Sequence, residues 1–219
     1  MQRLRPVSFL AALALFASAP LGCTSLGEED EHGDEHDDHG DEDGHDHGET
    51  EVISRVQLTF TPGDGGDAIV AAFSDPDGDG GMSGTAEAIE LMAGVSYSLS
   101  LELLNDLEDP AEDITEEIRA EAEEHLVLMA EEGGLLTIAY DDLESDYGAN
   151  AVGDDLPVGL MTTVDAGAAG SSNLRVMLRH LPELNGEPQK TADLPDLFAS
   201  GGDLPGDVDV DVTFELTVI

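Results

Sequence analysis

Two stretches of this chain alternate apolar and polar residues with a period of two, and that pattern leaves little choice of fold. The first is Val95-Ser96-Tyr97-Ser98-Leu99-Ser100-Leu101. In the second, Val208, Val210, Val212, Phe214, Leu216 and Val218 are expected on one face, with Asp207, Asp209 and Asp211 on the other. Such alternation puts one side of a strand in a core and the other in water. The same signature, or a continuous β-branched and aliphatic run, recurs at 52–61, 68–74, 88–92, 95–104, 125–130, 135–141, 158–163, 174–181 and 208–218, with Gly, Asp and Pro between the runs. Nine short strands separated by turn residues predict an all-β, Ig-like β-sandwich. One segment departs from the pattern. Asp113-Ile114-Thr115-Glu116 reads as a capping box, and Ile114, Ile118 and Ala122 follow at helical spacing, so one short helix is expected there.

The sandwich is predicted over 52–219, one domain's length. Residues 24–51 are of another kind: fourteen of the 28 are acidic, five are histidine, and none is aromatic, Lys or Arg. A segment so charged and so poor in apolar residues cannot offset its ordering entropy, which predicts a disordered tether extended by self-repulsion. The whole chain has 7 basic residues against 50 acidic ones, a formal net charge of -43. Nucleic acid is excluded as a partner by that field, while cations are concentrated by it.

The first 22 residues carry Arg3 and Arg5, then an apolar stretch over 7–19, then Pro20-Leu21-Gly22-Cys23. The stretch is shorter than the roughly 20 apolar residues of a spanning helix and suits a cleaved export signal. Cys23 is the single cysteine, so no intramolecular disulfide can form. Gly22-Cys23 resembles the lipobox of bacterial lipoproteins, although Pro20 stands where that motif usually has Leu. The resemblance implies removal of residues 1–22, acylation of Cys23, and a cell-envelope protein whose membrane partner is reached through the lipid. Thr24 and Ser25 after the cysteine, rather than Asp, imply the outer membrane.

Three groups of residues are candidates for ion binding. His32, His36, His39, His45 and His47 lie in the tether among carboxylates. Neutral imidazole ligates zinc, copper and nickel, and carboxylates complete the shell. This stretch resembles the histidine-rich loops of bacterial zinc-uptake proteins and metal transporters, which capture ions loosely; a plain low-complexity spacer is the alternative. Asp75, Asp77 and Asp79, with Gly80 at the sixth position, match the first half of a calcium loop. The twelfth position is Ala86, so a full EF-hand is not expected, and an acidic inter-strand turn is the competing reading. His125 and His180 form a possible second transition-metal site in the domain; Met129 shares a strand face with His125, whereas Met177 faces away from His180. No serine elbow, phosphate loop or HExxH is present, and catalysis is not expected.

Asp75-Pro76-Asp77-Gly78-Asp79-Gly80-Gly81, the 112–118 segment with Glu124-His125, Leu178-Arg179-His180 and the closing alternation over 207–214 together resemble a group of envelope lipoproteins often labelled as having a type 1 periplasmic-binding fold. That fold requires two α/β lobes and about twice this length, whereas the strand pattern predicts a sandwich. The resemblance implies a lineage but neither an activity nor site residues. The functional expectation is therefore non-catalytic: binding of a divalent transition metal, zinc foremost, with hand-off to an outer-membrane transporter. A structural or protein-interaction lipoprotein with the tether as a spacer is the second expectation. Nothing in the sequence sets an oligomeric state.

Overall fold

The computed structural model describes residues 51–78, 83–148 and 153–219. The signal, Cys23 and the tether histidines lie outside the described residues. The domain is a β-sandwich. One sheet runs in the order β3 (Thr85–Ala86), β2 (Ile69–Ser74), β1 (Arg55–Pro62), β5 (Ser96–Asn105), β9 (Met161–Ala166), β8 (Leu136–Tyr140), with β6 (Glu112–Asp113) also paired to β5. The other runs β4 (Ile89–Leu91), β11 (Asp207–Val218), β10 (Gly170–His180), β7 (His125–Glu131). The β11–β4 pair is parallel; the longer pairs, β1–β5 and β10–β11 among them, are antiparallel.

Alternation builds the core between the sheets. β5 turns Tyr97, Leu99, Leu101 and Leu103 inward, β1 adds Val56, Leu58 and Phe60, and the opposite sheet answers with Val127, Met129, Leu174, Val176, Leu178, Val212 and Phe214. Each large side chain removed from water contributes about 1.5–3 kcal/mol. Beyond β10 and β7 lies a second apolar layer of Leu126, Leu128, Met177, Leu181, Leu194 and Phe198. The last two belong to a helix covering that outer face. β7 is therefore buried on both sides, which is why its sequence reads as an unbroken apolar run.

The described residues form three short helices where the sequence predicted one. α1 (Ile114–Ala120) is the expected one, with the Asp113 carboxylate accepting from the Thr115 N–H. Glu116 does not close the capping box; it pairs with Arg119 instead. The Thr115 hydroxyl accepts from the Leu103 amide and donates to the Leu103 carbonyl, tying α1 to β5. The others are α2 (Glu144–Tyr147) and α3 (Leu194–Ala199). A single turn such as α2 is too short to show a period, and α3 has Pro195 at its start and only two fully buried residues. Among the described residues no helix is long and apolar enough to cross a membrane.

Candidate metal centre

His125 is the first residue of β7 and His180 the last of β10, and the register sets them directly opposite one another. Val127 and Met129 share the His125 face, and Leu178 shares that of His180, so both imidazoles point into the end of the inter-sheet core. Ile118 of α1 and Ala122 just beyond it belong to that core, and the chain leaving α1 passes through Glu121 to Glu124 straight into His125. The two rings stack in parallel, 4.7 Å between centroids and 6° between planes. His125 is 1% exposed and His180 8%.

His125 Nδ1 lies 3.2 Å from the Glu121 carbonyl oxygen. A carbonyl only accepts, so Nδ1 carries the proton in the neutral ring and Nε2 carries the lone pair. That Nε2 is buried without a hydrogen-bond partner, as is Nε2 of His180. Burial above all pushes His125 down to about 4, helped by the charges of His180 and Lys190. Its ring is therefore neutral at physiological pH, the form that binds a metal. The Glu121 carboxylate stands 3.9 Å from His125 Nδ1, and that of Glu124 3.7 Å from His180 Nε2. Ligand atoms of Glu121, His125 and His180 all lie within 4.8 Å of one another.

A further carboxylate is buried alongside. The sequence pattern put Asp209 on the outer face of β11; the structure reverses this. β11 pairs Val210 with Leu178 but Val208 with Arg179, so Asp209 is an extra residue in a β-bulge. Below the bulge the inward and outward positions exchange: Val208 is 41% exposed and Asp209 only 2%. Asp211, above it, stays at the surface and pairs with Arg175. Neither Asp209 oxygen makes a hydrogen bond, although the Glu51 backbone amide is near enough to favour its charge. Burial drives Asp209 up to about 6, against a downward pull from His180. Glu51 is pushed up to about 7 by burial and then by Glu117, with Asp209 and Glu121 adding to the repulsion.

Two acidic cavities reach this corner. One of about 270 Å³ is lined by Glu121, Glu123, Glu124 and Glu144. The other, about 350 Å³, is lined by Glu123, Glu124, Asp154, Glu183 and Lys190. Carboxylates outnumber cations along both, since Arg119 is the one basic residue lining the first and Lys190 the one lining the second, and an excess of negative charge in a cleft draws cations to it. Lys190 does not cancel that field, because its Nζ donates to the Ala122 carbonyl and pairs at 2.8 Å with Glu144.

The other predicted residues fall as follows. His32, His36, His39, His45, His47 and Cys23 lie outside the described residues, as does Asp79. Asp75 is buried, and its Oδ1 accepts from the amides of Asp77 and Gly78, while Asp77 accepts from the Ser83 hydroxyl. These described oxygens serve the loop's own donors in an Asx-type turn. Met129 packs between the sheets and Met177 in the outer layer, so neither joins the histidine pair. Sequence reasoning missed Glu121, Glu124, Glu51 and Asp209. For Glu121 a signal existed: it precedes His125 by four residues at a helix exit, where the chain folds it back over the ring. The chain matches no protein-family model, no curated protein and no solved structure.

Proposed function

We propose that this protein is a non-catalytic, lipid-anchored lipoprotein of the bacterial envelope that binds a divalent transition metal, zinc foremost. On this reading Cys23 holds it to the outer membrane. The tether histidines His32, His36, His39, His45 and His47 capture ions loosely, and His125 and His180 with Glu121 hold them in the domain. An outer-membrane transporter is the partner for hand-off. The observation that carries the reading is the convergence of two buried imidazoles and a carboxylate within 4.8 Å, with an Nε2 on each ring that no hydrogen bond satisfies. Two nitrogens and an oxygen suit zinc, and the acidic cavities beside them supply cations from solvent. Because the rings stack in parallel, a shared ion requires each to turn about its broad χ2 torsion.

The test is zinc titration by calorimetry on the full chain in detergent at neutral pH. It is compared with a variant carrying Gln at the five tether histidines and with the double variant His125→Ala, His180→Ala. A tight class lost only in the double variant, and a weaker class lost only with the tether, are the expected result. If the full chain takes up no zinc, copper or nickel, the metal reading fails and the structural or interaction lipoprotein stands in its place.

A further inference from the structure

Glu121, His125 and His180 provide three ligands, whereas zinc is held by four. The fourth position decides whether the centre is open to small molecules or closed. Resting on the metal reading above, we propose that Asp209 is the fourth ligand, which makes a closed centre of two imidazoles and two carboxylates.

The bulge is the first argument. A regular β11 would send Asp209 outward like its neighbours; the extra residue turns it into the interior, where its charge interacts with that of His180. Bulges are over-represented where a strand must re-aim a side chain at a site. The backbone is also held tightly there. At Gly206, just before β11, the φ is +70° and a Cβ would lie 2.1 Å from the His180 carbonyl oxygen, so only glycine permits that approach.

The second argument is what Asp209 lacks. A carboxylate 2% exposed with neither oxygen hydrogen-bonded is among the least favourable arrangements a core can hold. The neighbouring cations make their hydrogen bonds elsewhere, and Arg179 reaches Asp209 only through its charge. Arg179 spends its guanidinium on the carbonyls of Leu204, Pro205 and Gly206, and Lys190 is engaged with Ala122 and Glu144. A divalent ion between Asp209 and the imidazoles satisfies the carboxylate and the two orphaned ring nitrogens together. Glu124 is the rival ligand, but its side chain is 34% exposed and lines both acidic cavities. That position suits guiding an ion inward, while Asp209 lies almost wholly buried and near enough to His180 for their charges to interact. With two carboxylates the donor set favours zinc or cobalt(II) over copper(I).

Cobalt(II) tests this directly, because its visible spectrum reports coordination number. The proteins are the full chain with Gln at the five tether histidines, and the same chain with Asp209→Asn or Asp209→Ala; azide is the probe for an open position. The parent should show the strong absorption of four-coordinate cobalt, unchanged by azide. Asp209→Asn should bind about 10–100-fold more weakly, with a spectrum that shifts on adding azide, and Asp209→Ala should do so more markedly. Both metal-free variants should melt no lower than the parent, which separates ligand loss from unfolding. Parent-like affinity in both variants, or a parent spectrum that responds to azide, overturns the assignment of Asp209. A parent that takes up neither cobalt nor zinc overturns the metal reading itself, and that outcome is visible without any variant.

Discussion

Two aspartates are buried in this domain to the same depth and treated in opposite ways. Asp142 is 3% exposed; it accepts from the amides of Gly159, Leu160 and Met161 and from the Tyr147 hydroxyl, all between 2.8 and 3.1 Å. Asp209 is 2% exposed and has no such set of donors, only the Glu51 backbone amide near enough to favour its charge. Folding therefore explains Asp142, whose carboxylate organises the chain between α2 and β9. It does not explain Asp209, which the same fold would accommodate better as an apolar residue of similar size. A buried charge that stability does not account for points to a role in binding.

The contrast can be broken at its stronger end first. Asp142→Ala leaves three backbone amides and a phenol without their acceptor. At about 1–3 kcal/mol for each group left unsatisfied, the loss should exceed about 4 kcal/mol in chemical denaturation. A loss below about 1 kcal/mol would mean that water replaces the carboxylate and that burial says little here. Next in size is Lys190, a buried charge whose Nζ is both hydrogen-bonded and ion-paired. Lys190→Ala removes the cation paired with the buried Glu144 and should cost about 3–5 kcal/mol, whereas replacing both residues with apolar ones should cost far less. Equal losses in the single and double variants would refute a paired role.

Asp209→Asn should change the sign. In metal-free protein it removes an uncompensated charge at constant volume, for a gain of about 1–3 kcal/mol, while zinc stabilises the variant less than the parent. If the variant is destabilised without metal, then Asp209 is a structural carboxylate like Asp142 and the comparison collapses.

The same comparison shows what was legible in the sequence. Alternation at Val95–Leu101 reports burial directly, so β5 was readable to within a residue or two, and His125 and His180 stood out as candidate ligands by residue type alone. Their meeting was not visible, because 55 residues and a sheet register separate them. The Asp207, Asp209, Asp211 alternation misled for a physical reason. A period-two argument assumes an unbroken strand, and one inserted residue exchanges the faces. α3 was hidden because helix and strand periods are indistinguishable over six residues. Asp142 gave no signal either, since its four donors are assembled only by tertiary structure.

The last expected effect is in pH dependence, where the imidazole and the carboxyls oppose each other. His125 has its folded value lowered to about 4 from 6.5, so its contribution is complete above about 6.5 and lost as pH falls toward 4. Asp209 and Glu51 have theirs raised, to about 6 and about 7. Their contribution is complete below the unfolded values near 4 and lost as pH rises through the folded ones. On acidification from 7 to 4 the carboxyls therefore stabilise the metal-free fold while the imidazole destabilises it, and because two carboxyls oppose one imidazole the parent's stability should rise. Asp209→Asn removes one of the two compensating carboxyls. Between about pH 6 and 4 its stability should fall, relative to the parent, by up to about 1.4 kcal/mol per pH unit. Urea denaturation at half-unit steps in the presence of a chelator measures the two curves. Parallel curves would mean that Asp209 titrates as an ordinary surface carboxylate, and the corner would then be no more demanding of a cation than the rest of an acidic protein.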